Sequence, residues 1–126
     1  MSQTTRTVLR RLLANGPLTA MPTRPGDARL LLGLAAARFA QDREYREREI
    51  NDVLQAWLET FSAPYGIDHV SLRRYLVDAQ FLLRNASGST YKLNPQKAGS
   101  VVDLDPAQVL TEIQRERAAR KRQHPA

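Results

Sequence analysis

The segment Ile67-Asp68-His69-Val70-Ser71-Leu72 predicts the start of a helix, and the rest of the fold is built around it. Asp68 is expected to cap this helix by accepting a hydrogen bond from the backbone N–H of Ser71, while Ile67 packs against Leu72. The apolar positions that recur at helical spacing and predict its buried face are Leu72, Tyr75, Leu76 and Ala79. The segment therefore predicts a helix that lies on a core.

A β-hairpin is predicted directly after this helix. Residues 81–84 and 90–93 favour strands, and residues 85–89 between them are typical of a turn. A helix followed by a hairpin is the second half of a winged helix-turn-helix. The predicted fold class is therefore mainly α with a small β-hairpin, in a winged helix-turn-helix-like domain with extra N- and C-terminal helices. A fold of this kind does not by itself fix a function.

Helical periodicity predicts two further helices within a domain of residues 27–94. The first is expected to begin at Asp27 and to end near Ala40. The second is expected to place Trp57 in the core, with Tyr45 packed on Ile50 at its start. The apolar positions of this second helix are Ile50, Val53, Leu54, Trp57 and Leu58.

The segments on either side of that domain each carry one more predicted helix. Residues 1–26 contain a short amphipathic helix and a Pro-rich linker, and the leucine face of this helix is expected to dock on the core or on a second copy of the chain. The composition of this segment, rich in Arg, Ser and Thr, is also that of a mitochondrial transit peptide. Residues 95–126 form a linker and a helix capped by Asp105, which beyond Glu116 becomes a charged projection or a disordered tail.

Composition narrows the classes of function. The chain has 126 residues, a formal net charge of +6 and no cysteine, so disulfides, thiol catalysis and cysteine zinc sites are excluded. Only His69 and His124 could supply imidazole, and no carboxylates cluster around them, so no metal site is predicted. The longest apolar run is too short for a membrane span, and we expect a soluble, cytoplasmic protein. The positive charge is concentrated at the two ends of the chain.

Enzymatic readings find little support. The close carboxylates Glu44, Glu47 and Glu49 alternate with arginines, which would keep all three ionised. The sequence has no nucleophile elbow, phosphate-binding glycine loop or metal-ligand spacing. We therefore predict no catalytic residues, no cofactor and no small-molecule substrate.

Three segments suggest a family. They are 45–51 (YREREIN), 68–78 (DHVSLRRYLVD) and the stretch from Arg84 through Gly88 to Tyr91. Together they resemble a bacterial family of domains of unknown function, number 2087, over roughly residues 27–93. The resemblance implies a winged-helix-like fold and a bacterial setting, because that family includes chains resembling small transcription regulators, but it implies no activity. The chain departs from the family pattern at Arg46, in the helix cap, and in the loop around Pro64.

Two functions are consistent with these observations. In the first, the chain is a DNA-binding transcription regulator. Its third domain helix, which begins after Asp68, its hairpin (the wing) and its Arg-rich ends contact duplex phosphates. The predicted DNA-binding residues are Arg73, Arg74, Arg84 and Lys92. In the second, the domain is an interaction or dimerisation module in which the outward-facing Val70 and Val77 meet a protein partner. A homodimer through the terminal helices is compatible with either hypothesis.

Overall fold

The structure is a computed structural model that describes residues 4–123, in which five α-helices, one 3-10 helix and one antiparallel sheet are found. The elements are α1 (Thr5–Leu12), α2 (Pro25–Ala36), β1 (Tyr45–Arg46), α3 (Glu47–Glu59), α4 (His69–Asp78), β2 (Leu82–Arg84), β3 (Thr90–Leu93), the 3-10 helix (Pro95–Ser100) and α5 (Pro106–Gln123). The predicted mainly α fold with a small hairpin is confirmed. None of the described helices is long and apolar enough to cross a membrane.

The sheet contains one strand that the sequence did not predict. Its order is β1-β3-β2, so the hairpin strand β3 is central and pairs with β1 through Tyr45 and Tyr91. The Tyr45 ring also packs edge-on against Phe39, with ring centroids 5.2 Å apart. A two-residue strand is too short to show alternation in a sequence. Tyr45 therefore anchors a strand in addition to preceding α3.

The core is centred on the contact between α3 and α4. Ile50 and Leu54 of α3 and Leu72 and Leu76 of α4 are all fully buried. Trp57 is 6% exposed and packs edge-on against Phe61 at 4.6 Å, so its predicted place in the core is confirmed. Burial of an aromatic side chain of this size is among the largest single apolar contributions available to a small domain.

Helix α2 begins earlier than predicted and ends earlier as well. Pro25 occupies its first turn, where proline is favoured because its backbone angle already suits a helix. Asp27, the predicted first residue, lies in the first turn, two residues after Pro25, and is almost fully buried. Its carboxylate accepts a hydrogen bond from Arg11 at 2.8 Å, and this bond lowers the pKa of Asp27. The acid thus joins α1 to α2.

The terminal helices pack on each other and on the same core. Leu9 and Leu13, at α1 and its C-terminal cap, are buried in the cluster that contains Val109 and Ile113 of α5. The expected docking of α1 on the core is therefore met within the chain. The cap of α5 is also as predicted, with the N–H of Ala107 donating to the Asp105 carboxylate at 3.0 Å. Beyond Glu116 the chain continues as helix to residue 123.

Candidate nucleic-acid interface

The N-terminus of α4 is fixed by Asp68, as the sequence predicted. One carboxylate oxygen of Asp68 accepts from the Ser71 backbone N–H at 2.7 Å, and the other accepts from the Ser71 hydroxyl at 2.8 Å. The bond from the Ser71 backbone N–H is the largest of the effects that lower the pKa of Asp68. This capped end sets the register of the α4 side chains toward the core and toward solvent.

The buried face of α4 is rotated relative to the predicted one. Tyr75, predicted to be buried, is 44% exposed, whereas Val77, predicted to face outward, is half-buried against the edge of the core. Val70 is exposed as predicted. The face turns toward the side of Arg73, whose guanidinium is held by polar side chains of α3. The exposed surface of α4 therefore carries Val70, Arg74, Tyr75 and Asp78.

Arg73 is part of a polar junction between α3, α4 and β3. Its Nη1 donates to the side-chain oxygen of Asn51, and its Nη2 lies 3.6 Å from Oε1 of Glu47. The Tyr91 hydroxyl donates to the same Glu47 oxygen at 3.0 Å. Burial raises the pKa of Tyr91, and the hydrogen bond to Glu47 raises it further. The Arg73 side chain is only 19% exposed, so it supports the fold at the place where the sequence predicted a phosphate contact.

The two predicted DNA-binding residues of the hairpin lie on opposite faces of the sheet. Arg84 is paired with Tyr91, and Lys92 is paired with Leu83. Since successive residues of a strand point to opposite faces, Arg84 shares the face of Tyr91 while Lys92 lies on the other. The Arg84 guanidinium folds back against Gly88 in the turn, where φ is +75°. The four predicted residues therefore do not form one patch.

A different basic residue accompanies Lys92. Arg46 of β1 is paired with Thr90, which lies on the same face of β3 as Lys92, so Arg46 and Lys92 share the outer face of the sheet. Both side chains are exposed, and neither forms an ion pair with another residue in the described part of the chain. The sequence does not predict this pair, because the residues around Arg46 indicate only a helix cap there. The departure from the family pattern at this position was the available signal.

Three of the N-terminal arginines form ion pairs with carboxylates of the same chain. Arg6 pairs with Glu112 at 2.7 Å, Arg10 with Glu116 at 2.5 Å, and Arg11 with Asp27 at 2.8 Å. The hydrogen bond from Arg10 lowers the pKa of Glu116. The predicted basic character of the N-terminal end is therefore used to hold α1 against α5 and α2.

The C-terminal half of α5 keeps its positive charge. Its exposed basic residues, none of which forms an ion pair within residues 4–123, are Arg115, Arg117, Arg120, Lys121 and Arg122. A helix surface of this composition attracts phosphate groups and other polyanions. Within the described residues, the arginines of α1 are therefore paired with carboxylates, whereas the basic residues at the end of α5 are not.

The glutamates that precede and begin α3 and the histidines were the candidates for catalysis or metal binding. Glu49 accepts a hydrogen bond from the backbone N–H of Arg46 at 3.0 Å, and Glu47 belongs to the Arg73 junction. Within residues 4–123 no three His, Asp or Glu side chains are close enough together to hold a metal ion. His69 lines a cavity of about 420 Å³ between the end of α3 and the start of α4, and His124 lies outside the described residues.

Comparison with known proteins places the chain in a family without assigning it an activity. No curated protein and no solved structure matches the chain. The model of a family described as "Uncharacterized protein conserved in bacteria" (DUF2087) matches residues 17–93, which include α2, α3, α4 and the whole sheet. Since the match covers more than half of the sequence, the chain belongs to the DUF2087 family of uncharacterised bacterial proteins.

Proposed function

We propose that the chain is a DNA-binding transcriptional regulator of the winged-helix type, acting in the bacterial cytoplasm. The observation that carries this proposal is the order α2-β1-α3-α4-β2-β3 together with a sheet in which β3 is central. In that order α4 stands where a helix-turn-helix protein has its recognition helix, and the turn between β2 and β3 stands where a winged helix has its wing.

The exposed charges of the domain support the same proposal with a changed set of contacts. Arg74 on α4 is exposed and forms no ion pair within residues 4–123, so the pairing with Asp78 that its spacing allows does not occur. Arg46 and Lys92 add two cations on the outer face of the sheet. We assign the phosphate contacts of the domain to these three residues. Arg73 is not included because it is held by Asn51 and Glu47, and Arg84 is not included because it lies on the other face of the sheet.

The basic half of α5 supplies a second, sequence-independent contribution. Its five unpaired cations would neutralise several phosphates and thereby release counterions, which makes binding depend steeply on salt. The N-terminal arginines would contribute little, because three of them already face carboxylates.

An interaction module remains the alternative, and one observation favours it. Val70 and Tyr75 are two of the three large apolar side chains that are more than a third exposed among residues 4–123, and both lie on α4. Exposed apolar side chains on one helix mark protein contacts more often than contacts with bases. In this reading α4 packs against a protein partner or a second copy of the chain, and Tyr75 replaces Val77 as the second anchor.

A salt titration of binding to random-sequence duplex DNA distinguishes the two functions. We expect the full chain to bind at about 50 mM salt. The negative slope of log K against log salt should become less steep by about 1 for each of Arg74→Gln and Lys92→Gln. Arg6→Gln is the matched control, because Arg6 is an exposed arginine that is already paired with Glu112. Its slope should equal that of the unaltered chain.

The opposite pattern would support the interaction module. If Val70→Ser and Tyr75→Ser dissociate a complex or a dimer while Arg74→Gln leaves it intact, then apolar anchors carry the binding energy. Absence of any duplex binding near 50 mM salt would contradict the regulator proposal, since a chain with a free basic helix should show nonspecific affinity under those conditions.

A further inference from the structure

A second cavity lies on a different part of the molecule, behind the turn that joins α4 to β2. Its volume is about 310 Å³, at the low end of the range of about 300–1,000 Å³ that is typical of small-molecule sites. It is formed where α2, the end of α4, the start of β2 and the segment after β3 come together. The residues that line it are Gly26, Arg29, Leu30, Ala79, Phe81, Lys97, Ser100 and Val102.

The charge of this cavity is entirely positive. Arg29 and Lys97 line it, no acidic side chain does, and neither cation forms an ion pair within the described part of the chain. The ammonium of Lys97 lies 5.6 Å from the centre of the Phe81 ring, a cation–π contact that keeps the charge at the cavity. Two cations that come from separate elements, with no carboxylate among the lining residues, suit an anionic ligand.

The N-terminus of α2 adds to the preference of the cavity for an anion. Gly26 lies in the first turn of α2, and the residue before the helix, Arg24, provides no side-chain cap. The backbone at the positive end of the helix dipole therefore borders the cavity, while the acidic side chain of this first turn, Asp27, is paired with Arg11. A side chain at position 26 would meet no atom within 4 Å, so the backbone is open to an approaching group.

Apart from Ser100, the other side chains of the lining are apolar. Leu30, Phe81 and Val102 provide hydrocarbon surface beside the two cations. Val102 is fixed there because its N–H donates to the carbonyl of Gly33 at 3.2 Å, which holds the segment after the 3-10 helix against α2. A side chain at Gly33 would collide with the Ser100 carbonyl, so this close approach depends on glycine. The segment lies outside residues 17–93, the part of the chain that matches the family.

We propose that this cavity binds a small organic carboxylate with an apolar body, its carboxylate held by Arg29 and Lys97 and its hydrocarbon part resting on Leu30, Phe81 and Val102. The site is independent of the proposed DNA contacts and can be tested on the protein alone. Its position is that of an effector site, because Ala79 and Phe81 flank Gln80, the residue of positive φ at which α4 turns into the hairpin.

Binding of hexanoate to the full chain tests the proposal, followed by calorimetry and by the NMR amide signals of Gly26, Lys97 and Ser100. We expect saturable binding that perturbs these signals, with acetate and 1-hexanol, which lack the tail and the charge respectively, binding at least about tenfold more weakly. Arg29→Gln and Lys97→Gln should each raise the Kd for hexanoate by about tenfold, the usual loss for one charge-assisted hydrogen bond. Arg115→Gln, an exposed cation elsewhere, should leave it unchanged.

Three results would overturn the proposal. Equal affinity for acetate would mean that the cavity attracts only an anion, and equal affinity for 1-hexanol would mean that it offers only apolar surface. A double variant Arg29→Gln, Lys97→Gln that melts at the parent temperature and still binds hexanoate with the parent Kd would show that the ligand lies elsewhere. Because Arg29 is exposed and Lys97 half-buried, both variants are expected to fold.

Discussion

Arg6 of α1 donates two hydrogen bonds to the carboxylate of Glu112 in α5, at 2.7 and 2.9 Å, although the two residues stand 106 positions apart in the sequence. Arg10 repeats the arrangement with Glu116 one turn farther along both helices. These contacts join the two ends of the chain. They also pair arginines that the net charge of the sequence alone would suggest are free to bind an anionic partner. Pairs this exposed orient the helices more than they stabilise them.

The apolar contact between α1 and α5 should therefore matter more than the ion pairs. We expect Leu9→Ala to lower the free energy of unfolding by about 2–5 kcal/mol, because Leu9 is 1% exposed and its truncation leaves a cavity. Arg6→Gln should change it little. Urea denaturation of the two variants makes the comparison, and an equal loss of stability in both would show that charge holds α1 in place.

Trp57 provides a test of the core. Truncation to Ala should cost about 3–5 kcal/mol and lower the melting temperature by on the order of 10 °C. Trp57→Phe should be tolerated much better, because the buried indole N–H finds no hydrogen-bond partner within the described residues and its removal leaves no polar group unsatisfied. Calorimetric melting of both variants checks this, with the exposed neighbour Gln55→Ala as control. A Trp57→Ala protein that melts like the parent would be incompatible with the buried position of the ring.

The elements of this fold were predictable where a local signal specifies them. The caps at Asp68 and Asp105 and the hairpin each depend on residues a few positions apart, and all were predicted correctly. The rotation of α4 was not predictable from the spacing of its apolar residues, and the contact of Arg73 with Asn51, 22 positions away, gives no local signal either. The same limitation applies to charge, since pairing between the ends of the chain cannot be inferred from composition. The carboxylate cavity had no sequence signal, because its lining comes from three separate segments.

Arg73 and Arg74 are adjacent in sequence but should respond to substitution in opposite ways. Arg73→Met removes the guanidinium that donates to the Asn51 side-chain oxygen and faces Glu47, whose Oε1 keeps only the hydrogen bond from the Tyr91 hydroxyl. We therefore expect a loss of about 1–3 kcal/mol in stability with no change in the salt slope of duplex binding. Arg74→Gln should leave stability unchanged and flatten that slope by about 1. Denaturation and salt titration of both proteins give the four values required.

One combination of those values would contradict the division of roles. If Arg73→Met is as stable as the parent and flattens the salt slope, then Arg73 leaves its junction in solution and contacts phosphate directly. A double-mutant cycle with Asn51→Ala separates the cases, because residues in contact show an interaction energy and separated residues do not.

The cap at Asp68 predicts a dependence of stability on acid. Its folded-state pKa lies below the ordinary value of 3.8, so its contribution is fully present above that value and is lost as the pH falls through the lower folded-state pKa. Asp68→Asn can still cap the helix but cannot titrate. We therefore expect the advantage of the parent over Asp68→Asn in urea midpoint to shrink between about pH 4 and pH 2. A difference that stays constant over this range would mean that the charged form has no preference for the folded state.

Removal of the basic end of α5 is the sharpest test of where the nucleic acid binds. A chain that ends at Gln96 would be unsuitable, because it lacks the buried Val109 and Ile113 and should not keep the core. A chain that ends at Glu116 keeps both residues and the ion pair with Arg10, and it should melt close to the parent temperature. The cations that it loses are Arg117, Arg120, Lys121 and Arg122.

If these four cations contact phosphates, the salt slope of the shortened chain should be flatter by up to about 3–4, and the affinity that remains should depend on Arg74 and Lys92. If only α4 and the sheet face the duplex, the slope should not change. If the shortened protein retains the full slope and Arg74→Gln then flattens it by about 1, binding is confined to the domain, because the slope counts each contacted phosphate once.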